Sequence, residues 1–159
     1  MPDLLVKLYD LPDAQSLLRK LSERGVVVRT AMAYEKTRIL TWVRSEFGDP
    51  WADECDVAFA NRPISCFIAT ENGAVAGFAC YDSTCRNFFG PMGVAANARN
   101  RGIGTALLLV CLHAMATIGY AYAIIGGAGS SEFYEKTIGA IKIEGSSPGI
   151  YRDRLRREE

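Results

Sequence analysis

Arg99-Asn100-Arg101-Gly102-Ile103-Gly104-Thr105 decides how this chain is read. The apolar, extended-looking run Phe88-Phe89-Gly90-Pro91-Met92-Gly93-Val94 precedes it, and a long apolar helical run from Ala106 to Ile118 follows. A strand that feeds a glycine-rich turn opening a helix presents several backbone N–H groups at the positive end of a helix dipole. Glycine at 102 and 104 lets the backbone approach a ligand that a Cβ would hold off. Arg99 and Arg101 are expected to add positive charge at the same mouth. The stretch predicts a site for phosphate or pyrophosphate.

The flanking sequence supplies the frame. Leu4–Tyr9 reads as a strand, and Pro12 fits the first turn of a helix carrying Leu17, Leu18 and Leu21 until Gly25. Val26–Arg29 is β-branched and extended. Ile39, Leu40, Val43 and Phe47 recur at helical spacing from about Ala33, and Gly48-Asp49-Pro50 breaks that helix. Residues 51–63 read as an irregular connector. Ser65–Ala69 and Val75–Tyr81 flank the hairpin signal Asn72-Gly73, and Asn87–Val94 is a third strand. Gly119 closes the helix that begins near Gly104. Tyr120–Ile125 is a strand and 126–129 a glycine break. Ser130 or Ser131 can cap a short helix over Glu132–Thr137, with strand candidates at Ala140–Ile143 and Gly149–Leu155. The pattern predicts a single α/β domain over residues 1–159, with a mixed, mostly antiparallel central sheet and helices on its faces.

Composition removes several classes of function. With 18 basic and 18 acidic residues the formal net charge is zero, so no global field favours nucleic acid. The basic cluster Arg152–Arg157 is diluted by Asp153, Glu158 and Glu159 and reads as a solvated tail. The longest apolar run is too short for a bilayer and carries His113. No signal-peptide pattern opens the chain. The five cysteines (55, 66, 80, 85 and 111) form no CxxC pair, so zinc-site spacing is absent. Cys66, Cys80 and Cys111 lie in apolar runs and read as core residues. The expectation is a cytoplasmic protein with no metal, no nucleic-acid partner and no membrane partner.

Two owners of glycine-rich turns do not fit. A Walker A loop needs a lysine after its last glycine, and Thr105 stands there instead. The dinucleotide pattern finds Leu107 at its third glycine, and the loop follows an antiparallel meander rather than opening a βαβ unit.

The segment Val94-x-x-x-x-Arg99-x-x-Gly102-x-Gly104 instead resembles the acyl-coenzyme A loop of the GNAT-type N-acetyltransferases. Downstream, Phe133-Tyr134-Glu135-Lys136-x-x-Gly139-Ala140 resembles a second motif of that family at matching spacing. The resemblance runs from about Ser65 to Leu155 and is loose before that. It implies two splayed parallel strands, with the pantetheine arm of acetyl-CoA between them near Met92, Gly93 and Val94. It also implies pyrophosphate on the backbone from Asn100 through Arg101, Gly102, Ile103 and Gly104 to Thr105, with Arg99 beside it and Phe133 packing. The reaction implied is direct acetyl transfer to a small-molecule or peptide amine, with Tyr134 giving a proton to the leaving thiolate.

The chain departs from the family pattern in two places. The strand 87–94 has no carboxylate to act as base, which leaves Glu54, Asp56, Glu71 and Asp82 as candidates. Gly127 stands where many members have Asn. Met92 or Gly93 supplies the nearest candidate N–H for an oxyanion. Trp42, Trp51, Glu54 and Asp56 could form a mouth for a cationic amine, although Trp42 fits a core position better. A covalent route through Cys85 or Cys111 lacks a nearby histidine. A non-catalytic acyl-CoA sensor on the same fold is the alternative function, and a homodimer remains open.

Overall fold

The computed structural model describes residues 1–156. Its strands are Leu4–Lys7 (β1), Val26–Thr30 (β2), Cys66–Glu71 (β3), Ala74–Tyr81 (β4), Phe88–Val94 (β5), Tyr122–Ile125 (β6) and Ile141–Lys142 (β7). Its helices are Gln15–Glu23 (α1), Lys36–Phe47 (α2), Asp49–Ala60 (α3), Ile103–Thr117 (α4) and Ser131–Ile138 (α5). The strands form one sheet in the order β2-β3-β4-β5-β6-β1-β7. Every neighbouring pair is antiparallel except β5 and β6. This is the mixed, mostly antiparallel α/β sheet the sequence predicts.

Each face of the sheet has its own core. On one, Leu4, Val6, Phe89 and Ile125 pack with Leu21 of α1 and with Leu107, Leu108, Leu112 and Met115 of α4. Helix α4 is apolar nearly all round and buries eight residues, each large aliphatic one contributing about 1.5–3 kcal/mol. On the other face, Ile68, Phe78 and Cys80 meet Ile39 and Val43 of α2 and Ala52, Cys55 and Phe59 of α3. Trp42 belongs here, its ring 5.7 Å from that of Phe47 and 6.1 Å from that of Phe78. The lone histidine is structural, with His113 Nε2 2.8 Å from the Pro12 carbonyl oxygen.

Several local expectations are corrected. Residues 51–63 are not an irregular connector, because most of them belong to α3. Gly48-Asp49-Pro50 ends one helix and starts the next: Pro50 falls in the first turn, where its missing N–H costs nothing. The buried stripe of α3 is Ala52, Cys55, Ala58 and Phe59, so three small residues hide its helical periodicity. Pro12 precedes α1 rather than lying inside its first turn. Ser130 stands at the start of α5 but makes no side-chain cap bond. The strand expected over Gly149–Leu155 is instead a single 3-10 turn, Gly149–Tyr151. Of the basic tail, Arg157, with Glu158 and Glu159, lies outside the described residues. No helix among the described residues is long and apolar enough to cross a membrane.

The turn entering α2 is fixed by Arg29. Its guanidinium donates to both oxygens of Glu35, at 2.6 and 3.0 Å, while Glu35 also accepts the Met32 N–H at 2.8 Å. The Arg29 hydrogen bonds hold the Glu35 carboxyl down at about 2. A carboxyl whose pKa is lower folded than unfolded stabilises fully above its unfolded value, about 4.3, and loses that effect as pH falls through the folded one. Urea titrations should therefore show Glu35→Gln less stable than wild type near neutral pH, with the gap closing as pH falls from about 4.3 towards 2. A gap undiminished at the acid end would contradict this role for the pair.

Candidate active site

The site begins where β5 and β6 part. Their parallel pairing covers only Phe88↔Ile124 and Phe89↔Ile125. Beyond that, β5 spends one extra residue against β4: Tyr81 pairs with Phe89 but Ala79 with Met92, a bulge at Gly90-Pro91. Gly90 has φ 117°, and Pro91 has no N–H to offer a neighbouring strand. On the other side the continuation of β6 is held by the chain's first residues. Gly127 N–H donates to the Asp3 carboxylate at 2.8 Å, and Ala128 N–H donates to the Pro2 carbonyl at 3.1 Å.

The gap exposes backbone. Ala95 N–H donates to the Ala76 carbonyl at 2.9 Å, so by the antiparallel alternation Gly93 also bonds to β4, while Met92 and Val94 direct their polar groups towards the gap. The Val94 carbonyl accepts from Arg99 Nε at 3.2 Å. At the end of the gap stands the N-terminus of α4. Asn100 (φ 61°) and Gly102 (φ 86°) are left-handed, which curls the chain into a concave turn. Ala106 N–H bonds to the Gly102 carbonyl at 3.0 Å and no side chain caps the helix, so the N–H groups of Ile103, Gly104 and Thr105 have no intrahelical acceptor.

A pocket of about 590 Å³ joins these features. Of the residues expected from sequence, Met92, Gly93, Val94, Arg99, Asn100, Gly102, Ile103, Gly104, Thr105 and Phe133 line it. Ile103 has its side chain in the core and offers the pocket its backbone. Arg101 is not in the lining: its guanidinium turns to Glu71, pairing with both carboxylate oxygens. Arg99 alone of the two supplies side-chain charge at the mouth. Tyr134 sits behind Phe133, its ring 5.1 Å from that of Phe133 and 6.4 Å from that of Phe89. Burial pushes its phenol upward, and its hydroxyl has no hydrogen-bond partner among the described residues.

Phe47, Trp51 and Ala98 complete the lining. The spacing of Phe47 marks it as one more apolar position of a helix and gives no sign that its ring reaches the pocket. A Cβ on Gly93 would lie 2.4 Å from that ring, so the glycine is what admits it.

The α3 face of the gap carries a second group of side chains. A Cβ on Gly126 would lie 2.6 Å from the Tyr151 hydroxyl oxygen and 2.9 Å from the Phe88 ring, which puts that phenol where the strands part. Burial, followed by the carboxylates of Glu54 and Asp3, raises the Tyr151 pKa. Glu54 accepts from the Thr84 hydroxyl at 2.5 Å. The other candidate bases are engaged: Asp56 with Lys36 at 2.7 Å, Glu71 with Arg101, and Asp82 with the Tyr120 hydroxyl and the Asn87 N–H. Sequence alone does not single out Tyr151, because it lies in a stretch expected to be a strand.

Residues 36–140, about two thirds of the chain, match the model of the Acetyltransferase (GNAT) family, and the chain belongs to that family. Comparison with curated proteins gives no match. Among solved structures, the chain is similar to the GCN5-related glucosamine N-acetyltransferase region of a fungal multi-domain GH3 β-N-acetylglucosaminidase, with TM-score 0.72 and 15% identity over 89% of this chain and 19% of that one. A GNAT family acetyltransferase from Brucella melitensis, in complex with acetyl-CoA, gives TM-score 0.54 and 17% identity over 68% and 80% of the two chains. A GCN5-related N-acetyltransferase from Sphaerobacter thermophilus gives 0.53 and 19% over 89% and 48%. These likenesses establish the fold. The chain spans under half the length of the first and third of these proteins.

The two arginines should separate in a binding experiment. Arg99→Ala is expected to weaken coenzyme A binding about tenfold, the loss of one charge-assisted contact. Arg101→Ala, whose guanidinium is already committed to Glu71, should change it by less than about twofold. Calorimetric titration reads both, and equal losses would contradict the pairing.

Proposed function

We propose that residues 1–159 act as one acetyl-CoA-dependent N-acetyltransferase domain that passes an acetyl group directly to the primary amine of a small molecule or peptide. The observation that carries the reading is the continuity of one pocket from the strand gap to an uncapped, glycine-built helix start. An acyl-CoA needs both: a polar-edged slot for the pantetheine amides and N–H donors for the pyrophosphate. The residues present fit the coenzyme. Backbone groups of Met92 and Val94 hold the arm, the N–H groups around Gly102–Thr105 hold the pyrophosphate, and Arg99 adds charge. Gly127 takes no part through its N–H, which Asp3 occupies.

The amine reaches the gap from the α3 face. Glu54 is the base: it takes the proton that the amine releases on attacking the acetyl carbon. Tyr151 orients the acceptor where β5 and β6 separate. Tyr134, on the coenzyme side, gives its proton to the sulfur as the carbon–sulfur bond breaks. Burial raises the phenol pKa, so the proton is in place at neutral pH but is held more tightly. Its transfer is therefore coupled to carbon–sulfur cleavage, which makes the sulfur basic. A carboxylate on α3 acting in place of one on β5 accounts for the absence of Asp and Glu from Phe88–Val94.

A screen of amines with labelled acetyl-CoA, resolved by mass, identifies the acceptor. With that acceptor, Tyr134→Phe should lower kcat about 10²-fold or more while coenzyme affinity stays within about twofold. Glu54→Gln should lower kcat by a similar factor, with coenzyme affinity again within about twofold. Unchanged turnover in either variant removes that residue from its role. Tight acetyl-CoA binding with no acetylation of any amine would favour the alternative reading, a non-catalytic acyl-CoA sensor.

A further inference from the structure

Three cysteines far apart in sequence meet on the α2–α3 side of the sheet. Cys55 comes from α3, Cys66 from β3 and Cys80 from β4, with Cys66 and Cys80 directly opposite in register. All three are fully buried, and their sulfurs lie within 4.8 Å of one another. Cys55 and Cys66 are 3.8 Å apart, sulfur to sulfur. Sulfurs bound to one central atom by bonds of about 2.3 Å stand about 3.3 Å apart at the right angles of a pyramidal centre and about 3.8 Å apart at tetrahedral angles. Cys55 and Cys66 thus stand at the outer end of the spacing that a shared central atom requires, and Cys80 lies within 4.8 Å of both, although each comes from a different segment.

The surroundings decide what that atom can be. No nitrogen or carboxylate oxygen joins the group among the described residues, and a sulfur-only donor set selects a soft centre. The neighbours are apolar, including Ala31, Ala58, Phe59, Ile68 and Phe78. Among the described residues no lysine, arginine or histidine is buried. Three thiolates on a divalent zinc would leave one uncompensated negative charge in this core, and on a monovalent copper two. Such charges are strongly disfavoured where no partner exists. A trivalent centre leaves none.

We propose that Cys55, Cys66 and Cys80 form a binding site for a trivalent thiophile of the arsenite and antimonite class, taken up as its neutral hydroxide. The exchange balances without charge or redox change: As(OH)₃ + 3 RSH → As(SR)₃ + 3 H₂O. Three arsenic–oxygen and three S–H bonds break, three arsenic–sulfur bonds form, and the released hydroxyls leave as water. Because the sulfurs have no exposure, α3 must lift from the sheet before the ligand enters. Uptake is then limited by that opening, and its rate becomes independent of arsenite at high concentration. Once bound, the centre ties α3 to β3 and β4. The site does not depend on acetyl transfer.

The test uses the full chain, reduced with a phosphine and titrated with sodium arsenite. Native mass spectrometry should show one arsenic bound in place of three protons, and X-ray absorption should show three sulfur neighbours and no oxygen. Cys66→Ala should weaken binding about tenfold or more, whereas Cys85→Ser, which alters a thiol outside the trio, should leave it unchanged. Zinc should bind more weakly than arsenite. An arsenic with two sulfurs and one oxygen, binding abolished by Cys85→Ser, zinc binding tighter than arsenite, or no bound arsenic would each overturn the proposal. Should circular dichroism show Cys66→Ala unfolded, the wild-type sulfur count decides.

Discussion

The separation of β5 from β6 is the constraint on which the rest of this structure depends. It is held open from both sides. Strand β5 stays with β4 through a bulge at Gly90-Pro91 that turns it from its parallel neighbour. The continuation of β6 is drawn the other way by the Asp3 carboxylate and the Pro2 carbonyl. Asp3 is 8% exposed, and a carboxylate in such a place needs a donor, which the Gly127 N–H provides. The gap is thus a built feature, and along its β5 edge the backbone groups of Met92 and Val94 face away from β4.

From that gap the two faces of the sheet acquire different tasks. Helix α4 directs its uncapped start at one end, so the glycine turn and Tyr134 belong to the face with α1, α4 and α5. The other face presents Trp51 and Glu54 on α3, with Tyr151 above Gly126. This division accounts for a strand β5 without a carboxylate. A base need not sit on the strand if a helix on the far face carries one to the same opening. Glu54, which accepts from the Thr84 hydroxyl, is the carboxylate we propose for that part; Asp56, Glu71 and Asp82 are tied to Lys36, Arg101 and Tyr120.

Much of this is legible in the chain, because glycine and apolar periodicity are local signals. The hairpin at Asn72-Gly73, the left-handed entry at Gly102 and the largely apolar α4 follow from residue types within a few positions. Helix α3 escapes because its buried stripe is mostly alanine and cysteine, which carry little periodic contrast, and because Pro50 reads as a stop when it is also a start. Arg101 looks like a phosphate ligand beside Arg99, but Glu71 lies 30 positions away and only the sheet brings them together. Tyr151 and the three cysteines are hidden for the same reason. Their neighbours are set by tertiary contacts, and no spacing in the sequence encodes them.

The glycine turn that opens α4 carries the central claim, and Gly104 tests it with least disturbance. A Cβ there meets only Val94 Cγ2, at 3.6 Å, and the residue has no left-handed φ, whereas Gly102 would be strained by any side chain. Coenzyme A should be titrated calorimetrically into wild type and Gly104→Val, with thermal unfolding as a check on the fold. The expected result is saturable one-to-one binding by wild type and a loss of about a hundredfold or more in a variant that melts normally. Equal affinity in the two proteins would contradict a pyrophosphate seat at this turn.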